Sequence, residues 1–323
     1  MKNSAIIRIV IWSLVIVILL GLLLAGLGFG KIGGGRFYRY HISTIEATEA
    51  TGVRTADASV PADQVEKIAI DWVSGTVTIQ SGDVAEISFH EDSSKYPMVW
   101  KLHNGKLTIQ FCQKNKYNLT VNKDLTILVP KDFALDELEL DAASADLNAS
   151  DIAIRSVNLN TASGICHFQD CDVTDLDIDT ASGDVFFEGS LDTLDFDAAS
   201  ASFSGILTNT PSRIDVDSAS GDLDLTLPED TGFSVDLDGM SCDFSSEFET
   251  TLRNGRHTYG DGHCRIDMDG MSSDIIIRKG IEFPVTVPSL PDALDAPTVP
   301  SSLDALVPQP QPHHQDDHNA LCP

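Results

Sequence analysis

The chain has 323 residues, 42% of them hydrophobic, enough for one large or two small packed domains, and a formal charge of −28. Lysine and arginine number 21 against 49 acidic residues, and five of the basic ones fall in the first 39 residues, which hold no acid, so the remainder is more acidic still. That sign excludes nucleic-acid binding, which needs a basic footprint.

Residues 1–8 form a short tail carrying Lys2 and Arg8. From Ile9 to Phe29 there is no charge, and Ile, Leu and Val dominate. The stretch is long enough to span a bilayer, and residues 9–30 are expected to be a single transmembrane anchor. A cleaved signal peptide is the competing reading; LLAGLGFGK offers it no small-x-small cleavage site. Basic residues flank the segment on both sides, so the positive-inside rule nearly balances. The short tail and the acidic bulk favour a bulk outside the cell. Residues 31–64, with the run Gly33 to Gly35, read as a flexible stalk.

The folded part is expected over 65–281. Its opening phrase, IAIDWVSGTVTI from Ile68, alternates apolar and polar residues. Residues 81–133 then insert short alternating strands, with His103-Asn104-Gly105-Lys106 as a hairpin turn. This insertion carries Lys95, Lys101, Lys106, Lys114, Lys116, Lys123 and Lys131 among Trp100, Phe111 and Tyr117. Lysines interleaved with aromatics suit, locally, a nucleic-acid or polysaccharide surface. They equally suit a β cap whose aromatics face inward and whose lysines protect an exposed edge.

From Leu138 one phrase recurs: an alternating strand, a small-residue corner ending in serine, then a second short strand. LDIDTASGDVFF from Leu176 and IDVDSASGDLDL from Ile214 are examples. The corner serines are Ser74, Ser144, Ser163, Ser182, Ser200, Ser220, Ser241 and Ser272, and those from Ser144 to Ser241 stand 18 to 21 residues apart. A fixed period near this length means stacked coils, each burying its apolar face against its neighbours. The sixth and fourth residues before each serine are apolar, as in Leu194 and Phe196, and so is the third after it, or it is cysteine. The fifth and third before are mostly Asp. Two short strands therefore meet at a corner in each coil, and the variable link supplies a third side. The serines form a corner or inward ladder bonded to backbone groups. The spacing widens to 31 residues before Ser272, where FETTLRNGRHTYGDG reads as a projecting hairpin.

The segments LTILVPKDFALDELELDAASADL, the serial A-S-G-D coils and YGDGHCRIDMDGMSSDIIIRKG resemble the putative-adhesin family of β-strand-repeat proteins over about Val65 to Ile281. The resemblance implies a β-solenoid, tethered to bacterial membranes, with surface or envelope-stress roles and no catalytic residues. The Met corners, Gly239-Met240-Ser241 and Gly270-Met271-Ser272, and the density of Asp depart from the family pattern. The expected fold is all-β: a single-stranded parallel β-helix, right-handed by analogy with most such folds, with a β-hairpin insertion and one preceding transmembrane helix.

Residues 282–323 hold nine of the chain's 14 prolines and read as a disordered tail. His313, His314 and His318 there suit a loose metal contact less well than a solvated tail. Asp141, Asp179, Asp197, Asp217, Asp238 and Asp269 share one repeat position, with Asn160 as the exception. Stacking brings such carboxylates within about 4.8 Å, which raises their pKa values or recruits cations. Asp179, Asp197, Asp217, Asp238 and Asp269 are thus weak calcium candidates, against the alternative of a solvated face that keeps the rod soluble. Six cysteines show no zinc spacing; Cys166 takes an inward position, and Cys242 and Cys264 are a candidate disulfide pair. Glycoside hydrolysis needs one paired carboxylate site, whereas the acids here are spread evenly, so no catalytic residues and no cofactor are expected. The expected function is a non-enzymatic, membrane-anchored surface module that is adhesin-like and takes an extracellular ligand. The alternative is an envelope-stress accessory acting through a membrane protein partner.

Overall fold

The structure, a computed structural model, describes residues 52–93, 96–112, 122–253 and 255–280. The expected anchor at 9–30 and the tail at 282–323 lie outside these residues. Among the described residues, no helix is long and apolar enough to cross a membrane.

The described chain is strands, turns and one 3₁₀ turn (Ala62–Gln64). The strands are β1 (Val53–Arg54), β2 (Asp57–Pro61), β3 (Lys67–Gly82), β4 (Glu86–Glu91), β5 (Val99–His103), β6 (Lys106–Gln110), β7 (Leu125–Pro130), β8 (Ala134–Ser150), β9 (Ala153–Thr161) and β10 (Cys166–Ser182). They continue as β11 (Val185–Ser200), β12 (Phe203–Leu207), β13 (Arg213–Ser220), β14 (Leu223–Leu227), β15 (Phe233–Gly239), β16 (Phe244–Ser246), β17 (Thr251–Arg253), β18 (Arg256–Tyr259), β19 (Cys264–Ser272) and β20 (Ile275–Lys279). The folded part therefore begins by Val53, inside the segment expected to be stalk. Val53 and Arg54 pair with Trp100 and Val99, and β2 pairs along β4, so backbone hydrogen bonds tie down what composition alone read as a linker.

Coils stack in parallel, as a β-solenoid requires. The first side, preceding the corner serine, runs β6–β3–β8–β9–β10–β11–β13–β19–β15 with every neighbour parallel. The second side, following the serine, runs β7–β3–β8–β10–β11–β12–β14–β20–β16, again parallel throughout. Strands β3, β8, β10 and β11 bend at the corner and serve both sides. The link supplies a short third side, where Leu135, Ile154, Val173 and Leu191 align in successive coils. The expected inward positions are buried: Leu176, Ile178, Leu194, Phe196, Ile214 and Val216 line one wall, and Val185, Phe203 and Leu223 the facing one. Each buried aliphatic or aromatic side chain contributes about 1.5–3 kcal/mol by leaving water, and stacking makes that burial continuous.

At both ends the stacking order departs from chain order. Strands β6 and β7 follow β3 in sequence yet lie on its far side from β8. Strands β19 and β20 insert between β13/β14 and the earlier β15/β16. The widened serine spacing before Ser272 is this excursion: the chain builds the outermost coil, turns through a hairpin, and returns beneath it. The hairpin β17–β18 does not project freely. Its β18 pairs antiparallel with β15, so it extends the first side and covers the edge of the last coil. At the other end β5 and β1 do the same, and β4 and β2 close the second side. Antiparallel caps blunt edges that would otherwise template association. The turn between β5 and β6 is the expected one, with Asn104 and Gly105 both at positive φ, 49° and 78°.

The corner serines stack in register, Ser74 with Ser144, Ser182 with Ser200 and Ser220 with Ser272, mostly on the exposed outer corner. Ser182 donates to the Ala162 carbonyl of the neighbouring coil at 3.3 Å, as expected of a corner serine, and other residues add to the ladder. Thr161 and Thr180 point inward and their hydroxyls donate to the carbonyls of Ser163 and Ser182, at 3.0 and 3.1 Å. Two residues past the serine, carboxylates accept from the backbone N–H of the neighbouring coil: Asp146 from Ile165, Asp184 from Ser202, Asp222 from Asp274, and Asp274 from Asp243, at 2.8–3.1 Å. The final Asp of the A-S-G-D phrase is therefore a corner clasp. The glycine before it has no room for a side chain: at Gly183, φ is +117° and a Cβ would lie 2.0 Å from the Gly164 carbonyl oxygen.

The basic cap differs from its expectation at one residue. Lys101 and Lys131 are exposed, but Lys123 is wholly buried. Its ammonium pairs with buried Glu91 at 2.8 Å, donates to the Tyr96 carbonyl at 2.5 Å and lies 4.7 Å from the centre of the Phe111 ring. Trp72, edge-on to Phe111, donates from Nε1 to the Lys123 carbonyl at 2.8 Å. Lysines 95, 114 and 116, and Tyr117, lie outside the described residues.

Candidate functional site

Two outer faces differ sharply in chemistry. On the first side the outward positions are acidic. The shared column runs Asp141, Asn160, Asp179, Asp197, Asp217, Asp269, Asp238 in stacking order, so the neighbour of Asp217 is Asp269 rather than Asp238. Beside it runs a second column, Asp177, Asp195, Asp215, Asp267, Asp236. Partial desolvation, then the charges of Asp179, Asp195, Asp217 and Asp177, push the Asp197 carboxyl up to about 6. Asp177 and Asp269 are raised for the same reasons, desolvation first. Arginines relieve the second column towards its end: Arg213 pairs with Asp215, Arg265 with Asp267 at 2.5 Å and Arg256 with Asp236 at 2.6 Å. The structure thus brings the five calcium candidates into one column of in-register neighbours, one per coil. A line is a poor cation cage, because a calcium ion needs six to eight oxygens converging on one point. Among the described residues no three His, Cys, Asp or Glu side chains converge in that way.

Where the cap meets this face, a smaller hollow of ≈ 390 Å³ is lined by Asp71, His103, Lys106 and Glu139. Several of its charges have partners, while Lys101 on its rim is exposed: Lys106 pairs with Glu139, Gln110 donates to Asp71 at 2.6 Å, and Asn160 donates to Asp141 at 3.0 Å. Burial still holds the Asp71 carboxyl above its ordinary value.

The second side is different. Its outward residues, fourth and sixth after the serine, line a shallow groove of ≈ 600 Å³ across several coils. In the middle the His167 and Phe186 rings, in register on neighbouring strands, stack at 4.8 Å and 11°. Phe186 is 40% exposed and Ile206, on the next coil in register with Glu188, 53%; Ile165, at the corner and outside the groove's lining, is 43% exposed. Gln80, Asn148, Gln169 and Ser204 surround this apolar centre. Asp224 and Arg278 close one end as a bidentate pair at 2.9 and 2.7 Å. Period-two alternation marked these positions as outward but assigned them no role, because they vary from coil to coil. The detectable signal was composition: Asp, which fills the first side, occurs among the groove's lining residues only at Asp224.

Among the described residues, no thiol lines the acidic columns or the groove. Cys166 and Cys264 are pushed up to about 12 and Cys171 to about 11, chiefly by burial, so none supplies a thiolate at neutral pH. Cys242 and Cys264, a candidate pair that nothing in the sequence settles, are both free thiols: one half-buried, the other fully enclosed. Cys322 lies outside the described residues.

These observations define an all-β protein of stacked parallel coils closed by antiparallel caps. Residues 65–278 match the Toastrack DUF4097 family, and the chain belongs to it. No curated protein matches. Among solved structures, a protein described as a putative cell adhesion protein from Clostridium sporogenes aligns at 11% identity and TM-score 0.36, covering 69% of this chain and 98% of its own. One described as a putative adhesin from Bacteroides fragilis aligns at 11% identity and TM-score 0.31, covering 68% and 95%. One described as a putative lipid-binding protein from Parabacteroides distasonis aligns at 13% identity and TM-score 0.24, covering 70% and 96%.

Proposed function

We propose that this protein is a non-enzymatic, adhesin-like interaction module of a bacterial cell envelope, held by residues 9–30 as a single-pass anchor with its right-handed solenoid outside the cell. The observation that carries this reading is the second-side groove. Stacked rings and exposed Ile206 form an apolar centre on a solenoid whose first side is lined with carboxylates. Exposed apolar surface costs solubility, and where it is contiguous and rimmed by polar groups it marks an interaction site. The even acidic columns serve solubility and keep rods apart. They have the wrong layout for catalysis, which needs an acid and a base facing one point.

The test is surface labelling of intact cells with a membrane-impermeant amine reagent. Lys101, Lys131 and Lys279 are exposed and available to it. Labelling of these lysines before lysis is the expected result. Protection until lysis would contradict an extracellular solenoid. An exposed solenoid that co-purifies in fixed proportion with a membrane protein, and loses that partner when residues 1–30 are exchanged for another anchor, would favour the envelope-stress accessory instead.

A further inference from the structure

We infer that the second-side groove binds a neutral glycan strand laid along the solenoid axis; this deepens the interaction reading above and rests on it. Four observations converge. The first is the apolar centre: the His167 and Phe186 rings stack face to face at 4.8 Å on neighbouring coils, and their outer surface together with Ile206 on the next coil leaves exposed apolar area in the groove. Such a surface accepts the C–H face of a pyranose ring, which is apolar although the rim of the sugar is not.

The second is the surround. Gln80, Asn148 and Gln169 each carry one acceptor and two donors in a plane, and Ser204 adds a hydroxyl. Paired donor and acceptor groups of this kind suit the adjacent hydroxyls of a sugar. A peptide seeking main-chain hydrogen bonds would need an open strand edge, and the strands beneath the groove are paired on both sides.

The third is charge. Among the groove's lining residues the charged groups are Glu188, Asp224 and Arg278, and Asp224 and Arg278 cancel as a bidentate pair. A polyanion finds no cationic row here and meets the field of a chain at −28. The basic cap adds no lysine to the groove's lining: Lys123 is buried, and Lys101 and Lys106 line the hollow on the first side instead. A polycation would find its partners on the acidic columns of the first side. The groove therefore selects a neutral ligand.

The fourth is shape. The groove is shallow and crosses the coils, so it presents similar outward positions at each step of about 4.8 Å along the axis. That layout suits a linear polymer better than a compact small molecule, which would need an enclosed pocket.

The test uses the full chain in detergent micelles against immobilised neutral polysaccharides (β-glucan, mannan, galactan, xylan) with heparin and hyaluronan as polyanionic controls. At least one neutral glycan should bind, and both polyanions should not. Phe186→Ala and His167→Ala should each weaken binding about tenfold or more, the loss expected of a central aromatic contact. Both side chains are exposed, so the melting temperature should stay within a few degrees of the parent and a loss of binding would not be a loss of fold. Asp197→Asn, on the other side, should bind as the parent does. No neutral glycan bound, a preference for the polyanions, or binding indifferent to both ring substitutions would each overturn the inference. If cells displaying the chain still attach to a surface through Phe186 while no glycan binds, the glycan assignment falls and the interaction reading stands. If attachment ignores the second side altogether, the interaction reading falls with it.

Discussion

A single position in the repeat shows how alternation separates structure from surface. Phe196 is fully buried and edge-on to Phe203, whereas its neighbour Asp197 faces water. Phe196→Asp places an unpaired charge in the packed interior, costing several kcal/mol, at least about 3. Asp197→Phe changes only the outer face and should cost less than about 1 kcal/mol. Chemical denaturation of the two variants checks the assignment; equal losses would contradict it. The same residue sets a pH dependence opposite to that of most paired carboxylates. Its folded pKa, about 6, exceeds that of the unfolded chain, so the folded state binds the proton more tightly. The stabilisation from that proton is complete below the ordinary carboxylate value and is lost as pH rises through about 6. The melting temperature should therefore rise from about pH 7.5 to about pH 5, and Asp197→Asn should flatten the rise. Glu137, whose pKa Lys67 lowers, works the other way and loses its contribution only at still lower pH. Since the columns form a line and no cage, calcium should raise the melting temperature no more than sodium chloride of equal ionic strength, the gain of screening alone. A calcium-specific increment, lost in Asp197→Asn/Asp217→Asn, would show that the line does hold the ion.

At the scale of elements, what was legible in the sequence is what repeats. Apolar residues at fixed offsets from each serine announced two strands and a corner, and Asn104-Gly105 announced a hairpin. Both follow from local geometry, the period of a pleated strand and the two left-handed positions of a tight turn. The order of the end coils was not legible, because every coil carries the same inward pattern: β19 and β20 present the apolar face to β13 and β14 that β15 and β16 would have presented. The role of Lys123 was also hidden, since composition groups it with the lysines of an edge. Only the fold brings Glu91 from β4 to within 2.8 Å of it. The groove was marked only by its scarcity of Asp, because its residues share a face but no repeated identity. Lys123→Met leaves the Glu91 carboxylate buried without its counter-charge and should cost about 3–5 kcal/mol. Lys123→Met/Glu91→Gln should recover much of that loss, and a double variant no better than the single would show that the pair is not the reason. The coil excursion gives a sharper test. Excising 229–262 joins Pro228 to His263 and returns the serine spacing to 18, within the range of the regular coils. That deletion should lower the denaturant midpoint less than excising 263–279, which removes a coil from inside the stack and leaves β15 and β16 without their parallel neighbours.

For the whole molecule, the stacking makes two long outer faces from one repeat and gives them different work. The first side carries like charges in rows, whose repulsion lowers stability at neutral pH but keeps neighbouring rods apart. The second side carries almost no net charge and holds the exposed rings. The antiparallel caps close most of the edges through which such rods would join end to end. The division of labour between the faces is the central claim, and attachment of cells displaying the full chain tests it most directly. Three forms are compared at equal surface density: the parent, Phe186→Ala/Ile206→Ser on the second side, and Asp197→Asn/Asp217→Asn on the first. The account predicts that attachment falls about tenfold or more in the second-side variant, on the scale of a lost central contact, and is unchanged in the first-side variant. Attachment lost with the Asp columns and retained without Phe186 and Ile206 would contradict it.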